Sequence, residues 1–110
     1  MKDKAKRPPQ LEELFPKIRD CIEKEQYRES RHARNRKAER NIGLSDILYV
    51  LKNGYHEKQK TSFDEDFHVW KYAVRGKTLE GFDIRIIIAF DEDGMLIITV
   101  MHVLKSGEKP

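Results

Sequence analysis

The spacing of hydrophobic residues changes partway along this chain. In the first half they recur every three or four positions. Leu11, Leu14, Phe15, Ile18, Cys21 and Ile22 form one such stripe, which predicts an amphipathic helix over residues 10–27. Pro16 lies inside it, so the helix either kinks there or begins near Phe15. Ile47, Leu48, Val50 and Leu51 give a second apolar face. That helix opens at Leu44 or Ser45 and stops at Asn53-Gly54. Between the two, residues 30–40 also read as helix, with Ser30 as N-cap and Gly43 just past the end. This middle helix has almost no apolar residues.

After Gly54 the period falls to two. Residues 55–60 read as a short strand and 61–66 as an acidic loop. Over 67–75, His68, Trp70, Tyr72 and Val74 alternate with Val69, Lys71, Ala73 and Arg75. A hairpin loop at 76–81 leads to a central strand over 83–90. It directs Ile84, Ile86, Ile88 and Phe90 to the core and Arg85 to the opposite face. Asp91-Glu92-Asp93-Gly94 makes a tight turn into a last strand, 95–104. That strand is apolar on both sides, which leaves open whether Thr99 or His102 shares the face of Arg85. The order predicts an α+β domain, with two or three N-terminal helices on one face of a three- to four-stranded antiparallel sheet. The other face is free for solvent or a ligand. Residues 1–29 form a basic lead-in, extended or disordered to Pro9, and an added helix. Residues 30–104 form the α+β domain and 105–110 a tail.

Composition narrows the class. A chain of 110 residues suits one small core. Charged residues make up 37%, and the net charge of +3 is too mild to imply a polyanionic partner by itself. The distribution says more: Arg28, Arg31, Arg34, Arg36, Lys37 and Arg40 crowd one short segment, whereas carboxylates gather at 64–66 and 91–93. Cys21 is the only cysteine, which excludes an intrachain disulfide and fits a reducing compartment. It lies on an apolar helix face and is expected to be buried and inert. Without Cys-x-x-Cys or His-Glu-x-x-His, no metal or cofactor is expected. There is no apolar leader and no run near the roughly 20 apolar residues of a membrane helix. A cytoplasmic protein without membrane contact is the expectation.

The basic helix is the candidate for chemistry. His32, Arg36 and Arg40 share one stripe at i, i+4, i+8. Like charges so placed repel by a few tenths of a kcal/mol per pair, and a phosphate would relieve that. Arg31, Arg34 and Lys37 point elsewhere and read as solvated charge. Arg85 in an isoleucine-rich strand needs an acidic partner or a ligand. If the stripe borders the open sheet face, with Lys71, Arg75, Arg85 and Thr99 or His102, a concave basic site results. Such a site meets the needs of metal-free RNA cleavage. Imidazoles move protons between the ribose 2′-OH and the leaving 5′ oxygen, and guanidinium groups hold the phosphate. The plainer readings are a solvated helix face, a packed or capping His32, a surface His102, and core packing for Trp70 and Tyr72. His56 and His68 have no supporting pattern, and 64–66 reads as a solvated loop.

The stretch Ser30-Arg31-His32-Ala33 with Arg36 and Arg40, then Ile42-Gly43-Leu44-Ser45-Asp46-Ile47 and Leu51-Lys52-Asn53-Gly54, resembles the opening of DUF4258, a family of unknown function. The close, 86–94 and Ile97-Ile98-Thr99-Val100, is similar too. The resemblance covers roughly residues 30–103. It implies kinship with RelE-like and BrnT-like toxins, hence a RelE-like fold and a toxin-like endoribonuclease neutralised by an antitoxin protein. The positions it implies as functional are His32, Arg36, Arg40 and Thr99. Where the family has an aromatic residue after Thr-Val, this chain has Met101 and then His102, so His102 would have to substitute. The resulting expectation is a metal-independent endoribonuclease carried by His32, Arg36, Arg40, Arg85, Thr99 and His102, with RNA and a cognate antitoxin as partners. The alternative is a non-catalytic module binding RNA or a protein through the same surface. A weaker option is dimerisation through the added helix.

Overall fold

A computed structural model of the protein describes residues 6–103. Three helices precede most of a single sheet. Helix α1 spans Leu14–Glu23, α2 Arg31–Glu39 and α3 Leu44–Asn53. The strands are β1 (Tyr27–Glu29), β2 (Tyr55–His56), β3 (Ser62–Asp64), β4 (Val69–Lys77), β5 (Asp83–Asp91) and β6 (Gly94–His102). The tail at 105–110 lies outside the described residues.

The α+β class is as expected, but the sheet is larger and mixed. Its order is β1-β6-β5-β4-β2, with β3 also paired to β4. Only β4, β5 and β6 form an antiparallel meander of nine-residue strands. The other three strands have two or three residues each: β2 falls inside the strand expected over 55–60, whereas β1 and β3 are too short for a period of two to register. β1 runs parallel to β6, so the purely antiparallel sheet of the sequence reading does not hold. β2 and β3 lie on the same edge of β4, separated by a 3-10 turn at Lys58–Lys60. Gly54 makes this edge possible, since a Cβ there would stand 2.4 Å from the Arg75 carbonyl oxygen. At the β5–β6 turn Gly94 has φ +117, a backbone that L side chains rarely adopt.

The core lies between the sheet and helices α1 and α3. Ile18, Ile47, Leu51, Ile84, Ile86, Ile88, Met95 and Ile97 are wholly enclosed. α1 begins at Leu14, so Pro16 falls in the first turn, where its missing N–H costs nothing. Its apolar stripe, Leu14, Ile18 and Cys21, is buried in the chain's own core. Burial pushes the Cys21 thiol pKa up, which suppresses the reactive thiolate.

Where described, the lead-in has no regular structure, and it is tied down. The Pro8 carbonyl accepts from Trp70 Nε1 at 2.6 Å, and the Leu11 N–H donates to the Tyr72 hydroxyl at 2.8 Å. Arg7 pairs with Glu65 and stacks over Phe63. No helix among the described residues is long and apolar enough to cross a membrane.

Candidate functional site

Helix α2 runs beside the exposed edge of β6, just beyond the three residues that β1 covers. Ser30 fixes its start. The hydroxyl accepts from the Ala33 N–H at 2.9 Å and donates to the Ile98 carbonyl at 2.8 Å. Arg40 fixes its end, donating from Nη1 to the Val100 carbonyl at 2.9 Å. One side chain at each end therefore meets carbonyls that β6 would otherwise leave unpaired. Ala33 is the buried residue of the helix, small enough for this close packing.

Three of the basic side chains of α2 are committed. Lys37, expected as solvated charge, faces Glu29 at 2.8 Å, and both side chains are largely covered. Glu29 Oε2 is shut off from solvent, and the Lys37 ammonium is the charge that compensates it. Arg34 donates to the Glu29 carbonyl at 2.9 Å. Arg40 holds the strand edge, so it is not a free phosphate ligand. The opposite flank is looser. Among the described residues Arg36 reaches only Glu39, an exposed carboxylate in the next turn, at 2.6 Å. His32 is exposed, and its ring bonds to no described residue.

The open sheet face is organised differently from the basic surface expected. Arg75 and Arg85 stand directly opposite each other on β4 and β5. Two carboxylates hold these like charges together. Glu57 accepts from Arg85 Nε at 2.6 Å and from Arg75 Nη1 at 3.0 Å, and Asp83 takes the other side of Arg75 at 2.9 Å. The hydrogen bond from Arg85, joined by that from Arg75, draws the Glu57 carboxyl down to about 2 against the cost of its burial. The pairing also raises both guanidinium pKa values, through Asp83 for Arg75 and through Glu57 for Arg85. Arg85 thus has the acidic partner its position demanded, and the quartet is neutral. Lys71 pairs with Asp64 at 3.4 Å and Arg28 with Asp91. Asp64 also closes its turn by accepting from the Asp66 and Phe67 N–H groups. Between these pairs lies a groove of about 440 Å³ floored by Val69, Ala89, Leu96 and Ile98, with Phe67 beside it.

The parity of β6 is now decided. Ile87 pairs with Thr99 but Ile88 with Ile97, so Ile98 is an extra residue in a bulge. Thr99 therefore shares the open face with Arg85, its diagonal neighbour at roughly 7–8 Å. His102 pairs with Ile84 and belongs to the helix-covered face. Its Nε2–H donates to the Arg40 carbonyl at 3.1 Å, and its ring meets Phe82 edge-on. His102 and Arg85 lie on opposite faces, so the expectation that they join one site fails. Glu57, which holds both Arg75 and Arg85, and Asp83, which holds Arg75, escaped the sequence reading. The one available signal was two arginines predicted on adjacent strands, an arrangement that calls for carboxylates nearby. Among the described residues no group of three or more His, Cys, Asp or Glu side chains could hold a metal.

The arrangement around α2 coincides with a shared sequence pattern. The family model for "Domain of unknown function (DUF4258)" matches residues 30–102, from the α2 cap to the end of β6. The chain belongs to this family. α1 and β1 precede the matched region. No curated protein matches the chain.

Proposed function

We propose that this protein is a RelE- and BrnT-like toxin, a metal-independent endoribonuclease held in check by a partner antitoxin. His32 carries the reading. It is an exposed imidazole in the first turn of α2, uncommitted to any described residue, and it shares a flank with Arg36. On the helical wheel that flank lies on the far side of Ala33 from Lys37, the side of the open sheet face. The Arg36–Glu39 pair is exposed and weak, so a phosphate can take its place.

In the proposed reaction the ribose 2′-oxygen attacks phosphorus as His32 accepts its proton. The bond to the 5′ oxygen breaks, leaving a 2′,3′-cyclic phosphate; the departing oxygen takes a proton from solvent to become a 5′-hydroxyl, and His32 afterwards releases to solvent the proton it took. Arg36 balances the charge that builds on the phosphoryl oxygens. The Thr99 hydroxyl is available as a further donor. Arg40 and Arg85 are positioning residues here, the first holding α2 on the strand edge and the second holding the sheet face. His102 has no part in the chemistry.

The test is incubation of the purified protein with labelled single-stranded RNA in excess chelator. Products ending in 2′,3′-cyclic phosphate are expected, with His32→Ala reducing the rate at least about 100-fold. RNA left intact under conditions where a known toxin cuts overturns the proposal. One observation favours a second reading, a non-catalytic RNA-binding module. Proton transfer calls for an acid as well as a base, and His102, the second candidate imidazole, sits on the other face. Binding that weakens steeply with salt and yields no product would mark that case.

A further inference from the structure

An aromatic cleft at the start of β4 stands apart from the α2 flank. It has a volume of about 280 Å³ and opens between Trp70, Tyr72 and Phe90, with Pro8 and Lys17 at its sides. The Tyr72 and Phe90 ring centres are 6.0 Å apart, and the Lys17 ammonium lies 5.6 Å from the Phe90 ring centre. Phe63 supports Trp70 edge-on at 5.2 Å. The polar ends of the two largest rings are already engaged by the lead-in, Trp70 Nε1 by the Pro8 carbonyl and the Tyr72 hydroxyl by the Leu11 N–H. The cleft therefore offers ring faces and the Lys17 cation, with the His68 ring and the Asp91 carboxylate, itself paired with Arg28, at its rim.

These features select a flat ring joined to an anion. At 280 Å³ the cleft sits near the lower limit of ligand pockets, large enough for a base with its sugar and too small for a helix. Val69, Phe90 and Asp91 line both this cleft and the open-face groove, which reaches Ser30 at the head of α2. One extended strand running from α2 to the cleft would follow the open-face groove and turn round the end of the sheet at Val69 and Asp91, since Trp70 and Phe90 lie on the helix-covered side. We propose that the cleft is a subsite for an unpaired nucleobase of single-stranded RNA, stacked on Trp70 and Phe90 with its phosphate against Lys17. This rests on the reading of RNA as the substrate, and it adds a binding position remote from the scissile bond.

Trp70 is the only tryptophan in the chain, so its fluorescence reports on the cleft alone. The probe is a hexamer of deoxyadenylate, which stacks as RNA does but lacks the 2′-OH needed for cleavage. Saturable quenching is expected, and Lys17→Ala should weaken it by about tenfold with an unchanged melting temperature. Absence of quenching overturns the subsite, as does quenching by a proline-rich peptide but not by the hexamer, which would make the cleft a protein-docking groove. The ribonuclease reading is judged separately by RNA cleavage. Cutting without quenching removes the cleft and keeps the ribonuclease, whereas quenching without cutting does the reverse.

Discussion

Two arginine-rich regions of this molecule treat the same side chain in opposite ways. On the open sheet face, Arg75 and Arg85 are locked between Glu57 and Asp83, with little solvent around any of the four. On the outer flank of α2, Arg36 leans on one exposed carboxylate and His32 on nothing described. The first region is charge-balanced and rigid, so an incoming phosphate would have to displace a well-held carboxylate. The second keeps positive charge in solvent, where a phosphate can reach it without disturbing the fold. Arginine content alone does not locate a functional surface. The number and burial of its partners does.

The largest effect should come from breaking the balanced quartet. Glu57→Gln keeps the shape but leaves Arg85 without a carboxylate partner, opposite an Arg75 held only by Asp83. An uncompensated, largely buried charge costs on the order of 3 kcal/mol. The urea midpoint at pH 7 should fall accordingly. A fall worth less than about 1 kcal/mol would mean that the arginines reach water easily, and the contrast with α2 would collapse.

Acid offers the same test without a mutation. Glu57 is held at about 2, below its ordinary 4.5. A depressed carboxyl pKa stabilises the fold above the unfolded value, and that stabilisation is lost as pH falls from about 4.5 towards 2. The shift corresponds to roughly 3 kcal/mol as an upper figure. Denaturant midpoints measured from pH 6 to pH 2.5 should drop steeply below 4.5, and the Glu57→Gln chain should show a shallower drop. Equal slopes would place the acid sensitivity elsewhere.

The contrast between the regions could be read only in part before the structure was known. Cap and period were enough for α2 and α3, because Ser30, Gly43 and Asn53-Gly54 act within a few residues of themselves. The isoleucines of β5 placed Arg85 on the open face for the same reason. The partners of Arg85 could not be read, since Glu57 is 28 residues away and arrives through a two-residue strand and a 3-10 turn. Thr99 and His102 could not be assigned to faces because the bulge at Ile98 reverses the alternation within a strand that is apolar on both sides. Lys37 looked solvated because its partner Glu29 lies in a three-residue strand that the α1 stripe concealed.

A smaller effect belongs to the seam between the helix and the sheet. Ser30→Ala removes the cap of α2 and the hydrogen bond to Ile98 together. The expected loss is about 1–2 kcal/mol. It should appear as a lower melting temperature and as faster amide exchange at Ala33. A change confined to the melting temperature would show that the cap is not what holds the first turn.

The smallest effect on stability is the one on which the functional argument depends most. His32→Ala removes an exposed ring without a described partner, so the fold should change by no more than about 0.5 kcal/mol. RNA cleavage should nevertheless disappear. Arg36→Ala should behave likewise, since its pair with Glu39 is exposed and contributes little. A residue that matters for catalysis but not for folding is the signature of an uncommitted side chain. Glu57→Gln should give the opposite pattern, losing stability while the surviving folded fraction still cuts. If both substitutions reduce cleavage and stability in the same proportion, the two regions do not differ in kind, and His32 is a structural residue.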